Sequence, residues 1–166
     1  MKRAMLTAIT AALLTTGCAT YEPASPADYI GPKATVGDQA VPISSSLVHM
    51  FEMTRIDGRK LRGSGAATAG ANQGRGFAIA PVTQSNDVPT RASKVTLAAG
   101  TQYAAPILAL TNPTCRVEGE VEFAPEAGRT YRVTGRIAPE QCEVWIEDLA
   151  ARQPVTKKVT GKGTKS

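Results

Sequence analysis

Histidine occurs once in this 166-residue chain, at His49, and tryptophan once, at Trp145. One histidine and three scattered cysteines give no zinc-type spacing, so neither a metal nor another cofactor is expected. The chain lacks a Gly-x-Ser-x-Gly nucleophile elbow. The small-residue segment 63–76 is not followed by Gly-Lys-Ser/Thr and so makes no phosphate loop; it reads as a flexible connector. His49, inside a strand pattern, reads as packed or solvated rather than as a base. No catalytic residue is expected. Aromatic residues make up only 5% of the chain, whereas glycine and proline number 15 and 11. That balance disfavours a helical bundle and favours short strands joined by many turns.

Acid is missing from the C-terminal stretch. From Arg152 onward there are Arg152, Lys157, Lys158, Lys162 and Lys165, with no Asp or Glu. The formal charge of +5 therefore resides in this stretch and at Lys2 and Arg3, and the body between them is slightly acidic. A globular nucleic-acid binder carries its charge on its fold, so no nucleic-acid partner is expected. Residues 152–166 read as a basic disordered tail.

Residues 47–56 carry strand-favouring types, and Asp57-Gly58 marks a tight turn into a return strand at Arg59–Leu61. Short strands are expected at Phe77–Val82 and Val95–Leu97, and a buried strand at Gln102–Thr111. The clearest period-two signal spans 115–148. Cys115, Val117, Val121 and Phe123 alternate with Arg116, Glu118, Glu120 and Glu122. Tyr131, Val133 and Ile137 alternate with Arg132 and Arg136, and Cys142, Val144 and Ile146 with Glu143, Trp145 and Glu147. Three consecutive strands predict an antiparallel meander. Keeping the apolar faces together sets Phe123 opposite Tyr131 and Val121 opposite Val133. The outer face then pairs Glu122 with Arg132, Glu118 with Arg136, Arg132 with Glu147 and Arg136 with Glu143, a charge ladder that specifies register. Trp145 falls outside the apolar face, either under the tail or as a contact patch.

The N-terminus has a different grammar. Lys2 and Arg3 precede an apolar run, Ala4–Leu14, that is shorter than the roughly 20 residues a membrane-spanning helix needs. The run ends in Leu14-Thr15-Thr16-Gly17-Cys18, which resembles the lipobox of bacterial lipoproteins, departing from it at Thr15. The resemblance implies cleavage before Cys18, diacylglycerol on its sulfur and an acylated amino group, palmitate included. Ala19 after the cysteine implies delivery to the outer membrane, facing the periplasm or the cell surface. If Cys18 is consumed by lipid, Cys115 and Cys142 are left to pair in an oxidising compartment; two buried free thiols are the alternative. In the meander one strand separates them by about 9 to 10 Å, beyond the roughly 7 Å a disulfide spans, so one of them is expected past its strand end.

A second resemblance rests on Ile56-Asp57-Gly58, on Val95–Gly100 before an apolar strand, on Phe123–Tyr131 and on Val144–Asp148. It is to a broad class of small bacterial lipoproteins with a β-sandwich domain, and it transfers no site. The expected class is all-β, a small antiparallel sandwich of about 6–8 strands. Its expected parts are a signal peptide at 1–17 (a helix), Cys18 and a disordered tether at 18–42, the domain at 43–151 and the tail at 152–166. Single lipidation, small size and the missing catalytic motifs favour a membrane-anchored module without enzymatic activity that binds another envelope protein or helps an assembly. The alternatives are an anionic lipid or polymer bound through Lys157, Lys158, Lys162 and Lys165, or a small hydrolase or inhibitor.

Overall fold

The computed structural model describes residues 20–138 and 140–164. The expected signal peptide, Cys18 and Lys165 lie outside them. In chain order the elements are β1 (Lys33–Gly37), β2 (Gln39–Ser44), β3 (Leu47–Ile56), β4 (Arg59–Lys60), α1 (Ser64–Ala71), β5 (Ser85–Pro89), β6 (Ser93–Tyr103), α2 (Pro106–Thr111), β7 (Thr114–Phe123), β8 (Thr130–Ile137), β9 (Gln141–Asp148), β10 (Gln153–Pro154) and β11 (Val159–Thr164). The chain is mostly β, as expected, with two short helices.

Nine strands form one path, β2-β3-β6-β7-β11-β9-β8-β1-β5, with β4 paired to β3 and β10 to β9. The ladders are antiparallel except β1 on β8, which is parallel, so the sheet is mixed. It curls into a half-barrel. The expectation was a sandwich of about 6–8 strands; the path instead carries its hydrogen bonding through nine strands, and two more hang from it. One core fills the curl. Phe51 and Met53 of β3, Leu97 of β6 and Val117 of β7 meet Val133 of β8 and Val144 and Ile146 of β9. At Gly135 an added Cβ would lie 2.6 Å from the Phe51 ring, so β3 and β8 approach closely across the core without being ladder partners.

Strand β3 matches its expected bounds, and the following turn is as read. Asp57 and Gly58 take φ of 47° and 82°, the left-handed pair that a two-residue hairpin requires. Strands β8 and β9 also pair in the expected register, with Arg132 opposite Glu147 and Arg136 opposite Glu143.

The other half of the meander is corrected. β7 does not pair with β8; it lies between β6 and β11. The segment 124–129 is an arch across the core, not a hairpin turn. It is tied to β1, the Gly128 amide donating to the Lys33 carbonyl and the Thr35 amide to the Arg129 carbonyl. Phe123 and Tyr131 still meet, edge to face with ring centroids 5.1 Å apart. An arch and a hairpin both point these two rings inward, so burial pattern alone cannot separate them. The pairs Glu122–Arg132 and Glu118–Arg136 consequently do not form. Glu120 turns to Lys94 of β6 instead, at 3.3 Å.

The expected disordered tail is corrected as well. Residues 153–154 and 159–164 are β10 and β11, and β11 fills the place between β9 and β7. Its small residues permit this: a Cβ on Gly161 would lie 2.7 Å from Val117 Cβ, and Val159 packs against Gly119. The tether shrinks likewise. β1 and β2 fall within 33–44, and Ala24 and Ser25 are already buried. The Glu22 amide donates to the Lys60 carbonyl, and Arg59 donates to the Ala24 carbonyl at 2.7 Å. Segment 77–82 is not a strand, and Phe77 is exposed. The segment expected as a buried strand at 102–111 becomes the end of β6 and the exposed helix α2, because Pro106 sits at a helix N-terminus, where its missing N–H has no cost.

Candidate functional site: a trough along strand β6

Strand β6 has small residues on its outer face: Thr96, Ala98 and Gly100. The neighbouring strands carry long side chains at the same level. In register, Ala98 lies between Glu52 of β3 and Glu118 of β7, and Gly100 between Met50 and Arg116. Short residues in the middle and long ones on both sides make a trough of about 460 Å³. Arg55, Lys60 and Tyr21 line it as well, together with Gly63, Gly65 and Ala66 at the start of α1.

Helix α1 forms one wall where a flexible connector was expected. Its N-cap, Gly63, has no side chain to satisfy the free N–H groups of the first turn. Two carboxylates from the sheet do so. Asp38 Oδ2 accepts from the Ser64 amide at 3.2 Å and Glu52 Oε2 from the Gly65 amide at 2.7 Å. Negative charge at a helix N-terminus also suits the helix dipole. Along its length Ser64, Thr68 and Asn72, spaced four apart, hold the extended segment 80–84. Ser64 Oγ accepts from the Gln84 amide at 2.7 Å, Thr68 Oγ1 from the Val82 amide at 2.9 Å, and Asn72 Oδ1 from the Ala80 amide at 2.8 Å. This spacing was the legible signal for the helix, and reading composition alone passes over it.

Asp38 is buried. Its carboxylate accepts from the Met53 amide at 3.0 Å and from Ser64 Oγ at 2.7 Å as well. Burial pushes the carboxyl up to about 6; the Met53 amide and the Ser64 hydroxyl and amide oppose that rise, and the charge of Glu52 adds to it. Glu118 Oε1 accepts from Thr54 Oγ1 at 3.1 Å. Lys60 Nζ stands 5.4 Å from the centre of the Tyr21 ring. Arg55 and Arg116 are exposed and make no ion pair among the described residues.

Of the residues singled out by sequence, Cys115 and Cys142 are joined in a disulfide with Cα atoms 6.1 Å apart. Both lie within strands, and neither curls past its strand end: β11 rather than β8 lies between β7 and β9, and the curl of the sheet brings the two cysteines together across it. Trp145 packs under the C-terminal stretch, with Lys158 Nζ 4.3 Å from its ring centre. Lys158 also bonds Glu143 at 3.1 Å. Lys157 and Lys162 are exposed. His49 lies at the apolar open end of the core, a recess of about 180 Å³ shared with Leu47, Tyr103 and Ile137; burial lowers its pKa. Among the described residues no helix is long and apolar enough to cross a membrane, and no cluster of His, Cys, Asp or Glu is suited to hold a metal ion. The trough was missed at the sequence level because Tyr21 and Asp38 fell in the expected tether and α1 in the expected connector. No protein family, no curated protein and no solved structure matches this chain.

Proposed function

We propose that this protein is a lipid-anchored module of the bacterial envelope, held through Cys18 in the outer membrane, that binds or helps assemble another envelope component without covalent chemistry of its own. The trough along β6 carries the binding half of this reading. It is a preformed concavity of a size usual for specific ligands, and Arg55 and Arg116 stand in it without ion-pair partners among the described residues. The Cys115–Cys142 disulfide supports the compartment, since such bonds persist in oxidising surroundings. The odd third cysteine, at the end of a short apolar run, supports the anchor. The curled sheet is read here as a sandwich closed along one seam, with β3 facing β8.

The C-terminal lysines are the weaker candidate for ligand contact. Lys158 is engaged by Glu143 and Trp145, and the stretch serves as a strand. Hydrogen exchange of the purified lipoprotein, with and without a solubilised envelope fraction, tests the choice. Protection is expected in α1, β6 and β7. Protection confined to 152–164, or none anywhere, would contradict the trough as the binding site.

A further inference from the structure

The trough is longer than one charged group. Its floor is β6, and the sign of charge alternates between the levels of Thr96, Ala98 and Gly100. At the Thr96 level stand Arg55 of β3 and, opposite it on β4, Lys60. At the Ala98 level stand Glu52 and Glu118, one on each flanking strand. At the Gly100 level stands Arg116, facing Met50 across the floor. Glu120, the β7 residue at the Thr96 level, is taken up by Lys94 at 3.3 Å. The order along the trough is therefore cation, anion, cation. Successive levels are two strand residues apart, about 6.6 to 6.8 Å.

The central acids are held in place. Thr54 Oγ1 donates to Glu118 Oε1 at 3.1 Å. Thr54 is on β3 and Glu118 on β7, with β6 between them, so this bond draws the Glu118 side chain across the floor. Glu52 is held on the other side by the Gly65 amide at 2.7 Å. Each bond uses one oxygen, so each carboxylate keeps acceptor capacity. Arg55 and Arg116 make no ion pair among the described residues. This lining disfavours three kinds of ligand. A polyanion would meet Glu52 and Glu118, a polyamine would meet the cations at both ends, and a small zwitterion spans two levels and leaves the third unmatched. An extended polypeptide meets all three, because its alternate side chains face one way and repeat at the spacing of the levels. We infer that the trough takes an extended segment of a partner protein with the pattern acid-x-base-x-acid. Its base sits between Glu52 and Glu118, one acid at Arg116 and the other at Arg55 and Lys60. The inference rests on the reading of the trough as the binding site and names its ligand class.

The test is titration of the full mature chain, isotope-labelled and in detergent micelles, with synthetic peptides, read by amide chemical shift. Thr-Glu-Thr-Lys-Thr-Glu-Thr carries the pattern, and its threonines favour an extended backbone. Thr-Thr-Glu-Lys-Glu-Thr-Thr has the same composition and charge but sets acid and base on opposite faces. The expected result is shifts in β6, β7 and the start of α1, with the first peptide bound at least about fivefold more tightly than the second. Glu118→Gln should weaken the first peptide about fivefold, the upper range for one exposed ion pair, and Arg116→Ala should do the same. Both side chains are exposed, so neither substitution disturbs the core. Equal binding of the two peptides, shifts confined to β8, β9 or β11, or no shift at all would overturn the inference. Tighter binding of Thr-Glu-Thr-Glu-Thr-Glu-Thr than of the first peptide would overturn it in favour of an anionic polymer. Hydrogen exchange with the solubilised envelope fraction separates the two readings. Protection of β6 and β7 by that fraction with no peptide bound sinks this inference alone, and peptide bound with no protection by the fraction sinks the envelope partner alone.

Discussion

Asp38 joins three parts of the molecule through one carboxylate: the corner between β1 and β2, the β3 backbone at Met53 and the start of α1. Burial raises its pKa from 3.8 to about 6. Between those values the folded state holds the proton more tightly than the unfolded chain. Its contribution to stability is therefore full below about pH 4 and is lost as pH rises through about 6, up to roughly 3 kcal/mol by pH 7. Urea denaturation at pH 4 and pH 7 should show this loss, and Asp38→Asn should flatten it. A variant that keeps the wild-type slope would show that another group titrates. Gly135 makes the second residue-scale case. Its missing Cβ leaves room for the Glu143 carbonyl of β9 and for the Phe51 ring, so Gly135→Ala should cost about 3 kcal/mol or more in the same assay. Neither residue stood out in the sequence. An aspartate in a proline-rich stretch looks like a turn residue, and a glycine in a strand does not reveal what crosses over it.

At the scale of elements, legibility followed the strength of the alternation. β8 and β9 alternate along their length and were read to within about a residue at each end. β3, whose buried Val48, Met50, Phe51, Met53 and Ile56 break the alternation at a bulge, was instead read with the right bounds from its strand-favouring types. β11 has Val159, Gly161 and Gly163 at alternate positions and reads as a polar tail. Glycine is required there by proximity to Val117, so the demand that places the strand also removes its apolar signature. Deleting residues 152–166 should therefore unfold the domain, seen as loss of the cooperative thermal transition. Replacing Lys157 and Lys162 with Gln should leave that transition in place. A folded protein after the deletion would contradict the central position of β11. The disulfide closes a separation of 27 residues, worth about 3 to 4 kcal/mol in the chain-entropy model. Cys115→Ala with Cys142→Ala should lower the unfolding free energy by an amount of that order.

The whole molecule combines a readable chain grammar with an unreadable path. Turns, strand faces and the pairing of two cysteines follow from residue types. Which strands become neighbours does not, because the arch at 124–129 and a hairpin satisfy the same burial pattern. The trough depends on that path: β6 must lie between β3 and β7 for its small residues to form a floor. The anchor and the disulfide belong to one claim, that this domain works in an oxidising envelope while fixed to a membrane. The intact mass of the protein isolated from cell membranes tests it most directly. The account expects a chain starting at Cys18, heavier by a diacylglyceryl group and one amide-linked acyl chain, and lighter by the two hydrogens lost in joining Cys115 to Cys142. An unmodified chain starting at Ala19 or at Met1, with both thiols free, would contradict it.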